Sequence, residues 1–175
     1  MLDITKIEQG KLDMVHESAS LLDIVRSITA DLSGYSDKSN VSIVLDIPEN
    51  VYIHVDVSRA RQALQNLIDN AIKYSKNPGR VEISCQTNGN FVKVILKDDG
   101  IGIPDSEQPK IFSRFYRASN TADSNSGGSG LGLYIVRSIV SQLGGSIFFE
   151  SKEGVGTTFN VTFPIYEIKL IKSEF

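Results

Sequence analysis

Two β-hairpin signals, separated by helical segments, constrain the fold of this chain more than any other feature. The alternating runs 80–87 and 91–98 flank Asn88-Gly89, a dipeptide that is strongly favoured in tight hairpin turns. A second hairpin is predicted over residues 146–164. The long parallel βαβ series of a doubly wound fold is not evident. We therefore predict an α+β fold, a two-layer α/β sandwich in which a mixed sheet carries its helices on one face.

The intervals around these hairpins show helical periodicity. The predicted helices cover residues 20–32, 56–74 and 131–143, and two further strands cover residues 41–47 and 51–55. Asp56 is a suitable N-cap for the second helix, which ends near Tyr74. The pair Gly144-Gly145 would stop the third helix, because glycine readily adopts the left-handed conformation that ends helices.

Length and composition indicate an ordinary globular domain. The 175 residues fit one domain with a short appendage. The formal net charge of -3 argues against nucleic acid as a partner, because phosphate backbones recruit basic surfaces. The single cysteine, Cys85, is predicted to be a buried strand residue, and its lack of a partner fits a reducing, cytoplasmic compartment. No apolar run approaches the roughly 20 residues that span a bilayer, which predicts a soluble fragment and leaves open an anchor elsewhere in the intact protein.

Two segments fall outside the pattern of helices and hairpins. Residues 1–9 place apolar side chains among polar ones before Gly10, and we expect them to be the end of a helix that begins upstream. The stretch 119–129 is rich in Ser, Asn and Gly and has no apolar anchor, so it is predicted to be mobile.

Four polar residues form one stripe along the second helix. Asn66 and Asn70 lie four residues apart, and Lys73 and Tyr74 follow one turn further along. Asparagine is a mediocre helix former, so two of them in mid-helix need a reason. Their carboxamide oxygens are suitable ligands for Mg²⁺, and the lysine suits phosphate oxygens. Taken alone, the helix leaves open the alternative of a solvated polar face.

Two glycine-rich strings complete a predicted nucleotide site. Asp98 ends a strand and can accept a hydrogen bond from an exocyclic amine, and Gly100 and Gly102 let the backbone approach a flat base. Residues 127–133 place glycines directly before a helix, where exposed N–H groups and the helix dipole favour an anion. The alternative for the string around Asp98 is a turn that carries acidic residues, and the alternative for residues 127–133 is a flexible linker. The order and spacing of all three elements are more specific than any one of them.

This combination resembles the histidine-kinase branch of the gyrase, chaperone and mismatch-repair ATPase superfamily. The matching motifs are an N box at 66–74, a first glycine box at 98–103, an F box at 111–117, a second glycine box at 128–133 and a closing hairpin motif at 154–159. The match covers roughly residues 20–165, with every box present and in order.

The resemblance implies a Bergerat-type ATP-binding fold, in which residues of roughly 103–130 form a lid over ATP and Mg²⁺. Asp98 would bind the adenine amino group. Asn70 would ligate Mg²⁺, with Asn66 beside it on the metal or on its water. The residues implied to line the base are Gly100, Gly102 and Ile103.

For the phosphate end of the site, the resemblance implies that Lys73 reaches the phosphates and that Tyr74 contacts the ribose or base. Arg114 and Arg117 are candidates for phosphate contact and for stabilising charge in the transition state, the alternative being a basic surface that faces solvent. The implied catalytic set is Asn66, Lys73, Arg114 and Arg117. The further residues implied to contact the nucleotide are Gly128, Gly130, Leu131, Gly132, Leu133 and Thr158.

One position distinguishes kinases from hydrolases among the proteins that this chain resembles. In the hydrolytic relatives, a glutamate one helical turn before the Mg²⁺ asparagine activates water. Here that position is Asn66, whose carboxamide cannot act as a general base. The resemblance therefore implies an ATP-dependent protein histidine kinase. His16 and His54 do not match the family's acceptor motif, and we interpret both as structural or surface residues.

The implied acceptor histidine belongs to a dimerisation and phosphoacceptor domain, of which residues 1–19 would be a remnant and connector. The catalytic domain would cover residues 20–165, and a tail without an assigned role would cover 166–175. The implied relay continues to a response-regulator aspartate in two-component signalling, with the intact protein a homodimer and this fragment a monomer. Two alternatives stay open: an anti-sigma-type serine kinase, and a nucleotide-sensing module without transfer activity.

Overall fold

Helices and hairpins alternate along residues 14–121 and 128–165, the ranges that the computed structural model describes. In chain order the elements are β1 (Glu17–Ser20), α1 (Leu21–Asp31), α2 (Ser33–Lys38), β2 (Val41–Asp46), β3 (Tyr52–Val55), α3 (Val57–Tyr74), β4 (Gly79–Asn88), β5 (Phe91–Asp98), α4 (Gly132–Gln142), β6 (Ile147–Lys152) and β7 (Gly156–Pro164). Two 3₁₀ turns, Gln108–Lys110 and Ser119–Thr121, lie between β5 and α4.

Five strands form one mixed sheet in the order β2-β4-β5-β7-β6. The β2 strand runs parallel to β4, and the other neighbours pair antiparallel. Both predicted hairpins, β4–β5 and β6–β7, are confirmed. The first turns at Gly89 and Asn90, where Gly89 supplies a positive φ of 56° at the first turn position. The mixed sheet and its helices confirm the predicted α+β sandwich.

A single layer of helices covers one face of this sheet. The α3 and α4 helices pack against the strands and against each other, and α1 packs on α3. Along β5, buried apolar residues alternate with more exposed ones, because successive strand residues point to opposite faces. The buried members are Val92, Val94 and Leu96, and the α3 residues buried with them include Leu64, Leu67, Ile68 and Ile72. Burying a side chain of this size stabilises the fold by about 1.5–3 kcal/mol.

Two helix starts carry side-chain caps, of which the cap at Asp56 was predicted. The Asp56 side chain accepts a hydrogen bond from the Arg59 N–H at 3.0 Å, which satisfies one of the donors left free at the start of α3. The Ser20 hydroxyl accepts from the Asp23 N–H at 3.2 Å at the start of α1. The capped α3 helix then runs to Tyr74, as predicted.

The residues before α1 contain a strand that the sequence pattern did not predict. The β1 strand pairs antiparallel with β3, with Glu17 opposite Val55. Its four residues, ESAS, are short and polar, so they show no apolar alternation. Next to this pair, the rings of His16 and His54 lie 5.7 Å apart.

Several predicted features fall outside the described residues. They are the helix end at 1–9, the tail at 166–175 and residues 122–127 of the stretch predicted to be mobile. Of the helices within the described ranges, none combines the length and hydropathy of a bilayer-spanning segment.

Candidate functional site

A cavity of about 330 Å³ opens between α3, the end of β5 and the start of α4. It brings together segments that lie far apart in sequence but meet because β5 is the central strand of the sheet. The predicted site residues that line it are Asn66, Asn70, Lys73, Tyr74, Asp98, Gly102, Ile103, Arg117, Gly128, Gly130, Gly132 and Leu133. The three chemical elements singled out in the sequence therefore share one cavity.

Asp98, the last residue of β5, is only 8% exposed. Its Oδ1 accepts hydrogen bonds from the backbone N–H of Gly100 at 2.9 Å and of Thr157 at 3.2 Å. Burial raises the pKa of Asp98 to about 6, although these two donors act in the opposite direction. Because both hydrogen bonds end on Oδ1, the second oxygen is left to accept a donor from a ligand.

Asn66 and Asn70 lie beside the first residues of α4. Within α3, Asn66 Nδ2 donates to the Gln62 carbonyl at 2.9 Å, which fixes the orientation of the carboxamide. A Cβ built on Gly132 would lie 3.4 Å from Asn66 Oδ1 and 3.9 Å from Asn70 Nδ2. The glycine therefore leaves both carboxamides next to a helix N-terminus, where free N–H groups and the helix dipole favour an anion.

Lys73 places its positive charge at the second glycine-rich segment. Its Nζ lies 3.3 Å from the point where a Cβ on Gly128 would stand, and 5.2 Å from the centroid of the Tyr74 ring. Arg117 also lines the cavity, and its Nη2 donates to the Thr121 carbonyl at 3.4 Å. The cavity thus combines two cationic side chains with the N-terminus of α4.

Two close backbone approaches shape the walls. A Cβ on Gly100 would lie 2.3 Å from the Tyr74 carbonyl oxygen, to which the Ile101 N–H donates at 3.0 Å. Gly130 has a φ of +69°, and its Cβ would lie 2.6 Å from the carbonyl carbon of Phe115. At position 130 only glycine avoids both the strain of a positive φ and the collision with Phe115. Each glycine box thus makes a close backbone contact with another motif.

Four of the predicted site residues are not in the cavity lining. Arg114 instead donates from Nη2 to the Tyr134 hydroxyl at 2.9 Å, with its guanidinium 4.8 Å from the centre of that ring. Thr158 lies on the opposite face of β7 from Thr157, and it is Thr157 that lines the cavity. The four are Gly100, Leu131, Thr158 and Arg114.

Comparison with known families matches the region that builds this cavity. The family model described as histidine kinase-, DNA gyrase B-, and HSP90-like ATPase matches residues 55–167, from the end of β3 to beyond β7. The chain belongs to this ATPase family. The resemblance inferred from the motif boxes is thereby confirmed.

Similar curated relatives are histidine kinases, two of them named as sensor kinases. Sensor histidine kinase WalK of Bacillus subtilis is 36% identical over 151 residues, which cover 83% of this chain and 25% of WalK. Sensor-like histidine kinase SenX3 of Mycolicibacterium smegmatis is 37% identical over 131 residues, 75% of this chain and 34% of SenX3. Histidine protein kinase 1 of Candida albicans is 36% identical over 93% of this chain and 7% of its own length. The chain therefore spans only about a third or less of these relatives.

Solved structures in this ATPase family share the fold. The catalytic domain of histidine kinase ThkA superposes with a TM-score of 0.76 at 28% identity, covering 87% of this chain and 97% of that domain. ThkA in complex with the response regulator protein TrrA gives a TM-score of 0.75 at 25% identity, covering 93% of this chain and 46% of that one. The chain is therefore a catalytic domain of the type found in sensor histidine kinases.

Several residues that line the cavity of this ATPase-family domain were not singled out from the sequence. Asp69 is half-buried, which raises its pKa, while the charge of Lys73 acts to lower it. Its position three residues after Asn66 on α3 is a signal that could have found it. The others include Ile101, Ile111, Tyr116, Thr121, Thr157 and Phe159, whose positions depend on contacts between distant segments.

Proposed function

We propose that this domain binds Mg-ATP and transfers the γ-phosphoryl group to a histidine on a separate dimerisation and phosphoacceptor domain, for relay to a response-regulator aspartate. The observation that supports it is the meeting, in one cavity, of a buried carboxylate, a stripe of two asparagines and a lysine, and a helix N-terminus. Phosphoryl transfer depends mainly on positioning and on charge stabilisation, and these groups supply both.

Asp98 is proposed to bind the base. Gly100 and Thr157 hold Oδ1 through their N–H groups, and Oδ2 can accept a hydrogen bond from the adenine amine. Guanine presents a carbonyl at the same position, so its oxygen would face a carboxylate. The site therefore favours ATP over GTP.

The opposite end of the cavity is proposed to hold the phosphates. Lys73, Arg117 and the N-terminus of α4 supply positive charge and N–H donors there. Among the described residues no group of three or more His, Cys, Asp or Glu side chains could hold a metal ion. The donors present, the neutral carboxamides of Asn66 and Asn70, fit Mg²⁺ that takes few protein ligands and completes its shell with phosphates and water. When bound, Mg²⁺ would neutralise phosphate charge.

Asn66 supports transfer rather than hydrolysis. Its carboxamide, anchored to the Gln62 carbonyl, stands one turn before Asn70 and cannot deprotonate water. An imidazole with a neutral nitrogen needs no such base. Neither His16 nor His54 lines the cavity, and their rings lie 5.7 Å apart beside β1 and β3. The acceptor histidine is therefore assigned to another domain.

The remaining parts of the proposal concern the whole protein. We assign this domain to the cytoplasm, with a homodimeric parent protein, a monomeric isolated domain and no nucleic-acid partner. The structure of ThkA with the response regulator protein TrrA supports a response regulator as the next partner.

Phosphate transfer from radiolabelled ATP tests the proposal. The domain alone should stay unlabelled, and mixing it with the dimerisation domain of the same protein should label a histidine there through an acid-labile, base-stable bond. Label on a serine would favour an anti-sigma-type kinase instead. Nucleotide binding without any label on the acceptor would favour a sensing module. Label on His16 or His54 would also contradict the proposal.

A further inference from the structure

Glu107 lies in the segment that follows β5 and connects two parts of it that are separated along the chain. Its Oε2 accepts hydrogen bonds from the Tyr116 hydroxyl at 2.9 Å and from the Ser119 backbone N–H at 2.8 Å. Its Oε1 accepts a short hydrogen bond from the Ser119 hydroxyl. One carboxylate thus holds three groups that lie 9 to 12 residues further along the chain.

The two residues that Glu107 holds stand on either side of a stretch of the cavity wall. Tyr116 and Ser119 flank Arg117 and Ala118, so the path of the backbone between them is set at both ends by the carboxylate. Glu107 itself is not in the lining. Residues 116–121 form what we call the return limb. The members of this limb that line the cavity are Tyr116, Arg117, Ala118 and Thr121.

The segment that carries Glu107, residues 103–108, is anchored to the sheet. Gln108 Nε2 donates to the Ser151 carbonyl on β6 and to the Ile103 carbonyl, each at 3.1 Å. The Ile103 N–H donates to the Ser151 hydroxyl at 2.9 Å. The Glu107 carboxylate therefore projects from this anchored segment onto the return limb, which Asn120 Nδ2 also holds by donating to the Gly102 carbonyl at 3.0 Å. Removing it should loosen the return limb and leave the sheet intact.

The directions of the pKa shifts of Glu107 and Tyr116 fit an ionised Glu107 carboxylate that accepts hydrogen bonds. Hydrogen bonds from the Ser119 hydroxyl, the Ser119 N–H and the Tyr116 hydroxyl hold the pKa of Glu107 below its ordinary value. The pKa of Tyr116 is raised, first by burial and then by its hydrogen bond to Glu107. Both directions describe a carboxylate that accepts from a neutral phenol at neutral pH.

We propose that Glu107 is a positioning residue of the nucleotide site, which holds Tyr116 and Ser119 so that Arg117 and Thr121 stay at the cavity wall. This inference rests on the proposed function, because it assigns Glu107 an effect on nucleotide binding. A carboxylate that only decorated the surface would leave nucleotide affinity unchanged.

Calorimetry with ATP and amide hydrogen exchange together test this role. Glu107→Ala removes all three acceptor contacts and should raise the Kd for ATP about tenfold, in the range of couplings between contacting residues. Exchange at the Ser119 amide should become faster in the nucleotide-free domain, whereas exchange in β4 and β5 should not change. Glu107→Gln keeps one acceptor oxygen and should give an intermediate Kd. Glu49→Ala removes the same charge from an exposed turn and should match the parent.

A double-mutant cycle separates positioning from general destabilisation. The Tyr116 hydroxyl acts through Glu107, so adding Tyr116→Phe to Glu107→Ala should weaken ATP binding no further. Additive losses in the cycle, parent-like affinity in Glu107→Ala, or faster exchange across the whole sheet would each overturn this inference alone. A parent domain that bound no ATP would overturn the proposed function and this inference with it.

Discussion

Asp98 and Thr157 stand opposite each other on neighbouring antiparallel strands, and the Thr157 N–H donates to Asp98 Oδ1 at 3.2 Å. This contact joins the first glycine box to the closing hairpin, 59 residues later in the sequence. It orients the carboxylate while leaving one oxygen for a ligand. The first three predictions concern this carboxylate.

Asp98→Asn should weaken ATP binding by about 1.5–3 kcal/mol, because a charged acceptor is replaced by a neutral one. Calorimetry would measure the loss, with Asp99→Asn as the matched control. The Asp99 carboxylate accepts from the Arg80 N–H and does not line the cavity, so its variant should bind ATP like the parent. Equal affinity of the parent for ATP and GTP would remove the assignment of Asp98 to adenine.

ATP binding should release protons near pH 6. The pKa of Asp98 in the nucleotide-free domain is raised to about 6, and a donor from adenine favours the charged form and lowers it. ATP affinity should therefore fall as the pH drops below about 6. Calorimetry in buffers of different ionisation enthalpy would count the protons released. Asp98→Asn should remove the part due to this carboxylate and leave the part due to the terminal phosphate of ATP, whose second pKa is about 6. The range from pH 5 to 7 extends about one unit on either side of the raised pKa. A number of released protons that did not change with pH in this range would contradict the linkage.

The raised pKa of Asp98 also makes the stability of the nucleotide-free domain depend on pH. Because the folded pKa of Asp98 lies above its ordinary value of 3.8, its contribution to stability is fully present below that value. The contribution is lost as the pH rises through about 6. Asp98→Asn should therefore stabilise the nucleotide-free domain at pH 7 relative to the parent, as urea unfolding would show, while it weakens ATP binding.

Asn70→Ala should abolish the part of nucleotide affinity that depends on Mg²⁺, because it removes one of the two carboxamides next to Gly132. Asn70→Asp keeps an oxygen ligand and should retain some of this dependence. Titrations of ATP with and without Mg²⁺ would measure the difference. Gln65→Ala, a polar-to-alanine change on the same helix away from the cavity lining, serves as the control. Full Mg²⁺ dependence in Asn70→Ala would place the metal elsewhere.

Asp69→Asn should leave the slow background hydrolysis of ATP unchanged. Within the described part of the chain two carboxylates line the cavity, and since Asp98 is assigned to the base, Asp69 is the one that would activate water if the domain were a hydrolase. Steady-state phosphate release by the two proteins would measure the effect. A loss of more than about tenfold, or about 1.4 kcal/mol in the barrier, would show that Asp69 acts as a base.

Gly130→Ala should cost more than the roughly 1–2 kcal/mol of left-handed strain, because its Cβ would also collide with the Phe115 backbone. Gly144→Ala is the matched control, since Gly144 has a φ of +78° but open space around the new methyl group. Thermal unfolding should separate the two variants. Only Gly130→Ala should weaken ATP binding, and equal effects on affinity would show that the contact with Phe115 does not shape the site.

The local elements were predictable because their causes are local. The cap at Asp56, the hairpin around Gly89 and the stop at Gly144 each depend on residues within one or two turns of the chain. The asparagine stripe on α3 follows from helical periodicity alone. The motif boxes that identify the family are likewise short strings, so their match required no knowledge of the sheet.

Tertiary structure decided which side chains meet. The string Gly156-Thr157-Thr158 contains two equivalent residues, and only the pairing of β7 with β5 turns Thr157 to the cavity and Thr158 to the opposite face. The same applies to the arginines of the F box: Arg117 lines the cavity, whereas Arg114 contacts Tyr134 on α4.

The sequence by itself determined most elements, their order and the chemistry available to them, because periodicity, caps and turn residues act over a few positions; the short elements β1 and α2 were not predicted. The contacts of Glu107 with Tyr116 and Ser119 and the pairing of β1 with β3 required the folded chain. The physical reason is that a polar side chain carries no local signal of its distant partner. The partner is fixed only when burial of the apolar faces sets the register of the strands and the position of α4 against α3.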